Sequence, residues 1–238
     1  MSASSTDSSF RRPVWLTVFG WITLVVFLVA TYYALFVAPT EVTQQELFRV
    51  TYTHASVAAI GLLGTIVTGV LAAIFLWRGR RQHDVRTLAA AEVTIVFLAI
   101  TLFGGMIYSK PTLGAWWAWD ARLTLSAIML VLMVGYFVIR GIISDPVRAG
   151  RVSAVVALVV AAGAPLNRAA TTLFRTVHPA RSAEMPSELA FVLALNMVAM
   201  LLVFVWFFLE RSHIGMAEAR LEAVAEQPEK PAGEAIRV

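Results

Sequence analysis

Six blocks of mostly apolar residues constrain what this chain can fold into more than any other feature of its sequence. A helix rises about 1.5 Å per residue, so about 20 apolar residues are needed to cross the roughly 30 Å hydrocarbon core of a bilayer. Because lipid offers no partner to unpaired backbone groups, each block is predicted to be a transmembrane helix. The predicted spans are 14–38, 55–77, 88–108, 123–143, 152–166 and 187–209. The sequence therefore predicts an all-α integral membrane protein with six spans.

Two of these blocks need comment because of their length. The fifth, 152–166, is short for a span, so we expect either that it continues through Asn167 and Arg168 or that neighbouring helices brace it. The first is too long for the core of a signal peptide, and no small-residue cleavage pattern follows it. We expect it to be retained as a span.

The composition supports a membrane protein and excludes other classes. Apolar residues make up 59% of the chain and charged residues 14%, whereas a soluble domain is about a quarter charged. The net charge of +4 does not indicate nucleic-acid binding, because the basic residues flank the apolar blocks and form no continuous stripe. The chain has no cysteine, so any iron that it holds must be held by histidine.

The distribution of basic residues predicts the orientation in the membrane. Alternate loops and both termini carry 13 Lys and Arg, against 6 in the remaining loops. Since basic residues are retained in the cytoplasm, both termini are predicted to be cytoplasmic. The chain then divides into a cytoplasmic N-terminal segment 1–13, a six-span membrane domain 14–209 with an outer segment 110–124, and a cytoplasmic tail 210–238. Within the tail, 216–226 is predicted to form a short helix at the inner surface.

Small and polar residues within the spans indicate helix packing. Four small residues recur at helical spacing in the second span, where another helix can approach closely, and we favour packing within the bundle over contact with a partner subunit. They are Gly61, Thr65, Thr68 and Ala72. Glu92 and Asn196 also lie within spans; we expect a structural role for Glu92 near the inner end of its helix.

The outer segment 110–124 is rich in tryptophan. Three of the seven tryptophans, Trp116, Trp117 and Trp119, fall within four positions. We predict a helix lying on the outer surface, with Trp116, Trp119, Asp120 and Leu123 on one face and Trp117 turned away. Tryptophan also collects at membrane interfaces without any ligand, so an aromatic belt is the alternative interpretation.

The charges around this segment favour a ligand. A planar, apolar molecule with anionic groups at one edge would suit aromatic walls beside the cations Arg122, Arg49 or Arg175. Haem is such a molecule.

Two histidines fall on the same predicted side as the tryptophans. His54 lies just before the second span and His178 in the loop before the sixth, whereas His83 and His213 fall on the cytoplasmic side. A single histidine at an interface is more often structural than a ligand. Two imidazoles beside an aromatic surface are candidate axial ligands of haem iron.

The stretch from Leu113 to Thr124 resembles the tryptophan-rich WWD signature of haem-handling proteins in cytochrome c biogenesis. Together with six spans and a histidine in each flanking outer loop, it makes the whole chain similar to the haem exporter protein C family. The resemblance implies that His54 and His178 are the axial ligands of the iron. It further implies that the haem is held by Trp116, Trp117, Trp119, Asp120, Arg122 and Arg49.

The resemblance also implies a function without catalysis. The protein would receive haem b at the outer face of the bacterial inner membrane and deliver it to a periplasmic haem chaperone. It would do so in a complex with the ATPase and membrane subunits of an ABC transporter and a small membrane adaptor. The chain has no phosphate-binding Gly-rich loop, so ATP hydrolysis is expected in a partner.

Two other functions stay open from the residues alone. A b-type cytochrome that carries electrons should have its histidines within the spans, and none of the four lies within a predicted one. A small-solute transporter would favour broken helices and polar groups at the midplane, for which the short fifth span and Asn196 are the hints.

Overall fold

A computed structural model describes residues 11–40, 44–174, 177 and 186–225 of the chain. Within them, six helices are long and apolar enough to cross a membrane, which confirms the predicted all-α architecture. They are α1 (Val14–Tyr32), α2 (Arg49–Arg78), α3 (Arg81–Leu113), α4 (Ala121–Ile142), α5 (Pro146–Leu173) and α6 (Ser187–Ala225). A π-helical turn, Tyr33–Val37, continues α1, and a 3-10 turn, Glu46–Phe48, precedes α2.

Helix α5 is longer than its apolar block. Its 28 residues span about 42 Å. The helix continues through Asn167 and Arg168, which confirms the expectation that the short fifth span is extended in this direction. Asp145 caps its first turn by accepting from Val147 N and Arg148 N. Asn167 is tolerated inside the bundle because its Nδ2 donates to the Arg122 carbonyl at 3.0 Å and to Ser126 Oγ at 2.8 Å.

Helix α6 also extends beyond its predicted end. It continues without a break to Ala225. The prediction of a separate short helix over 216–226 is therefore wrong for residues 216–225. Ion pairs hold the extension against α3, between Arg211 and Glu92 at 2.5 Å and between Glu222 and Arg81 at 3.0 Å. The structural role expected of Glu92 is therefore confirmed.

Helix α2 packs against α3, α5 and α6. Thr68 Oγ1 lies 3.1 Å from Thr94 Oγ1 of α3, and both side chains are buried. A Cβ atom on Gly64 would lie 2.7 Å from the same Thr94 oxygen, so a larger residue there would force α2 and α3 apart. The small-residue seam therefore serves packing within the bundle, as predicted.

A buried ion pair joins α3 and α4 at the end where α3 begins. Asp84, 2% exposed, accepts from Arg140 at 2.7 and 2.9 Å and from Arg81 at 2.8 Å. Ser153 of α5 lies 3.2 Å from the Arg140 guanidinium. These bonds fix three helices at one end of the bundle, opposite the tryptophan-rich loop.

Candidate functional site

The tryptophan-rich stretch is a loop between α3 and α4. Helix α3 ends at Leu113 because Gly114 adopts the left-handed conformation, with φ of 75°, in which glycine is the usual residue after a helix. Asp120 then caps α4. We call residues 114–120 the Trp loop, and the end of the bundle that carries it the Trp end. The predicted surface helix over this segment is wrong, because these two signals end one helix and begin the next.

The three tryptophans differ in their surroundings. Trp119 is 86% exposed and Trp116 is 55% exposed, whereas Trp117 is half-buried. The rings of Trp117 and Trp119 meet edge to face, with centroids 5.7 Å apart. The expectation that Trp117 turns away from Trp119 is therefore wrong.

A groove of about 340 Å³ lies between this ring pair and α4. Its walls are Trp117, Trp119 and the α4 residues Thr124, Ala127, Ile128, Val131 and Leu132. The groove is open on one side and almost wholly apolar, so it suits a flat hydrocarbon surface and offers few hydrogen-bond partners.

Asp120 connects the Trp loop to a second loop. Its Oδ1 accepts from Leu123 N at 2.7 Å, which caps α4, and its Oδ2 accepts from Val177 N at 3.0 Å. Val177 is the residue before His178 in the sequence. Asp120 is 9% exposed, so in the structure its carboxylate joins two loops rather than lying open on the surface. His178 itself lies outside the described residues.

His54 lies on α2, facing α3. It is the sixth residue of α2 rather than a residue before the helix, because α2 begins at Arg49. Its imidazole lies beside Gly104 and Gly105 of α3 and is stacked on Tyr108 at an interplanar angle of 14°. Tyr108 precedes the end of α3 by five residues, so His54 lies at the Trp end.

The other two described histidines also lie within helices, His83 in α3 and His213 in α6. All three described histidines therefore lie in the long helices rather than in the loops between them. His83 is at the start of α3, at the end of the bundle opposite the Trp loop.

The arginines at the Trp end differ in the interactions that they make. Arg122 lies in the first turn of α4, and it acts electrostatically on His54 and on Arg168 of α5. Arg49 is already engaged, since its Nη1 donates to the Leu35 carbonyl at 2.7 Å and pairs with Glu46 at 2.9 Å. Arg175 lies outside the described residues. Arg122 thus lies close enough to act on both His54 and Arg168 at the Trp end.

Four residues at this site were not predicted to take part in it: Gly104, Gly105, Tyr108 and Arg168. The adjacent glycines inside a predicted span were the available signal, because glycine in the middle of a helix often marks a close approach. Which helix approaches there depends on how α2 and α3 are aligned, and the sequence alone does not specify that.

The fold and this site define a multi-pass membrane protein that carries an exposed aromatic loop, a histidine and two arginines together at one end of its helical bundle. Comparison with known proteins identifies it further. A family model described as Heme exporter protein C matches residues 3–227, and the chain belongs to that family.

Several curated relatives carry the same description. The chain is 27% identical over 221 residues to "Heme exporter protein C" of Haemophilus influenzae, covering 90% of this chain and 86% of that protein. It is 28% identical over 198 residues to the Paracoccus denitrificans protein of that name, covering 79% and 81%. For the protein of that name from Escherichia coli K12, identity is 30% over 143 residues, or 59% and 58% of the two chains.

Proposed function

We propose that this chain binds haem b at the Trp end and delivers it to a periplasmic haem chaperone during the maturation of c-type cytochromes. His54 and His178 are the axial ligands of the iron. The observation that carries the proposal is the hydrogen bond from Val177 N to Asp120. It brings the residue next to His178 to the Trp loop, at the end of the bundle where His54 lies.

The described residues fit the chemistry of haem. The porphyrin is flat and apolar, as are the exposed tryptophan faces and the groove beneath them. Its propionates are anionic, and Arg122, which acts on both His54 and Arg168, supplies positive charge there. Neutral imidazole is a common axial ligand of haem iron, which gives His54 its role. The aromatic rings and cations therefore hold the macrocycle while histidine holds the metal.

The orientation follows from charge. The end of the bundle opposite the Trp end carries most of the arginines. Because basic residues are retained in the cytoplasm, the Trp loop faces the periplasm of the bacterial inner membrane. The protein transfers haem and makes no covalent bond. Release of the haem requires at least one axial bond to weaken. We expect this weakening to be driven by the nucleotide cycle of an ABC transporter, whose ATPase subunit hydrolyses ATP. The membrane subunit of that transporter and a small adaptor complete the complex.

The proposal is tested by the absorption spectrum of the purified protein loaded with haem. Replacement of either histidine, His54→Ala or His178→Ala, should change a six-coordinate low-spin spectrum into a mixed or high-spin one. His213→Ala, a histidine of α6 outside the site, is the matched control and should leave the spectrum as in the wild type. If both site variants keep the wild-type spectrum, the axial-ligand assignment is wrong.

A b-type electron carrier is the second candidate, because His54 lies inside α2 rather than in a loop. The two functions differ in release. A haem-delivery protein should lose haem to an apo-acceptor such as apomyoglobin, whereas an electron carrier should keep it through repeated reduction and oxidation. If the wild-type protein keeps its haem in the presence of excess acceptor, both without and with the haem chaperone, the result would favour an electron carrier.

The short fifth span and Asn196, which were the two hints of a small-solute transporter, both have structural explanations. Helix α5 is continuous across 28 residues, and Asn196 donates to the Ala30 carbonyl at 3.3 Å and to the Val192 carbonyl at 3.0 Å. The amide therefore joins α6 to α1.

A further inference from the structure

The surface of α3 that faces His54 is built from residues that the haem-binding proposal does not use. Gly104 and Gly105 are adjacent in α3, and a Cβ atom placed on either would meet the imidazole. On Gly105 it would lie 3.2 Å from Cε1 and 3.7 Å from Nε2, and on Gly104 it would lie 3.7 Å from Nδ1. The Cε1 atom of the ring thus lies closest to the glycines, with both nitrogens farther away.

Tyr108 closes the same surface one turn further along α3. Its ring is nearly parallel to the imidazole, with centroids 6.4 Å apart. The phenol is anchored at its oxygen, which accepts from Thr51 Oγ1 at 3.0 Å and donates to Gln44 Oε1. Thr51 precedes His54 by three residues on α2, so the tyrosine contacts one turn of α2 through both its ring and its hydroxyl.

This surface restricts the orientation of the imidazole by close packing. Histidines that bind metals usually donate their second ring N–H to a carboxylate or a backbone carbonyl, which fixes the ring and strengthens it as a donor. Among the residues that the structure describes, neither nitrogen of His54 makes a hydrogen bond. Close packing against α3, where the glycines leave room for the ring, and stacking on Tyr108 therefore take the place of a hydrogen-bonded partner.

We propose that Gly104, Gly105 and Tyr108 are positioning residues that set the plane of the His54 imidazole and thereby the strength of its bond to haem iron. The inference rests on the proposed haem function of His54. Orientation without a hydrogen bond keeps the imidazole a moderate donor, which suits a ligand that must later release its metal. Haem is thus held firmly enough to be carried and loosely enough to be given up.

A graded series of glycine variants tests the steric part. Gly105→Ala places a methyl group 3.2 Å from the ring, Gly104→Ala places one at 3.7 Å, and Gly135→Ala of α4 meets nothing within 4 Å. All three make the same chemical change within a helix, so Gly135→Ala controls for helix propensity. We expect the low-spin electron paramagnetic resonance signal and the reduction potential of bound haem to shift most in Gly105→Ala, less in Gly104→Ala and not in Gly135→Ala.

Tyrosine variants test the stacking part without crowding the helix interface. Tyr108→Leu removes the ring, and we expect about 10-fold weaker haem binding, the lower end of the effect typical of lost outer-shell partners. Tyr108→Phe keeps the ring and loses the anchor to Thr51, so it should shift the resonance signal less than Tyr108→Leu. These two variants decide the question if Gly105→Ala does not fold.

The outcomes separate this inference from the function on which it rests. If His54→Ala changes the haem spectrum but Gly105→Ala and Tyr108→Leu match the wild type in resonance signal, potential and affinity, the positioning role is wrong and the axial ligand stands. If His54→Ala leaves the spectrum unchanged, the proposed function fails first. A shift in Gly135→Ala equal to that in Gly105→Ala would also overturn the positioning role.

Discussion

Replacement of Asp120 by asparagine tests how the two loops of the site are held together. The aspartate uses one oxygen to cap α4 through Leu123 N and the other to accept from Val177 N. Asparagine is as good a helix cap as aspartate, but it has only one oxygen, and its amide nitrogen cannot accept from Val177 N. Asp120→Asn should therefore keep the helix and release the second loop.

The size of the effect follows from the lost bond. A hydrogen bond to a charged group contributes about 1.5–3 kcal/mol, and each 1.4 kcal/mol is about tenfold in an equilibrium constant. If the docked loop carries an axial ligand, haem affinity in Asp120→Asn should fall by about 10- to 100-fold. Asp120→Ala loses the cap as well, which costs a further 0.5–2 kcal/mol or so and should lower the melting temperature.

The assay is a haem titration of the purified protein, read by absorption and spin state, with thermal unfolding measured in parallel. Asp145→Asn is the matched control, because Asp145 caps α5 at the other end of the bundle. It should leave haem affinity unchanged. The reasoning is refuted if Asp120→Asn binds haem as the wild type does, or if Asp145→Asn weakens binding to the same extent.

Three further predictions follow from the structure. Asp84→Ala leaves the Arg140 guanidinium buried without its partner, which should destabilise the protein by about 3–5 kcal/mol in a denaturant or thermal unfolding assay; a change below about 1 kcal/mol would contradict the buried pair. Trp119→Ala should weaken haem binding without a change in melting temperature, whereas Trp77→Ala, equally exposed on α2, should change neither; equal titration curves for both would favour a simple aromatic belt. Asn167→Ala removes two hydrogen bonds to α4 and should lower stability by about 1–3 kcal/mol, measured by thermal unfolding; an unchanged melting temperature would mean that water replaces the amide.

The sequence predicted the six helices because lipid leaves a long apolar segment no other conformation. It predicted their ends less well. Helices α5 and α6 continue beyond the apolar blocks because their polar residues find partners on neighbouring helices, as Asn167 does on α4 and Glu222 does on α3. Such pairing depends on tertiary structure, so hydropathy along the chain does not reveal it.

The Trp loop shows where helical periodicity misled the prediction. The spacing of Trp116, Trp119 and Asp120 suits one helical face, but Gly114 and Asp120 are the residue types that end and begin helices. Those local signals outweighed the periodicity. The glycines beside His54 could not be assigned from sequence for a different reason, since their proximity depends on how α2 and α3 are aligned, and the residues themselves lie about 50 positions apart along the chain.

The two ends of the bundle are held by interactions of different strength. At one end, Asp84 and Arg140 form a buried bidentate pair, whose disruption costs about 3–5 kcal/mol. At the other end, a hydrogen bond from Val177 N to Asp120 joins the Trp loop to the loop after α5 and contributes about 1.5–3 kcal/mol. Loss of the Val177 hydrogen bond alone is therefore expected to destabilise the protein less than loss of the Asp84 carboxylate, which leaves Arg140 buried without its partner.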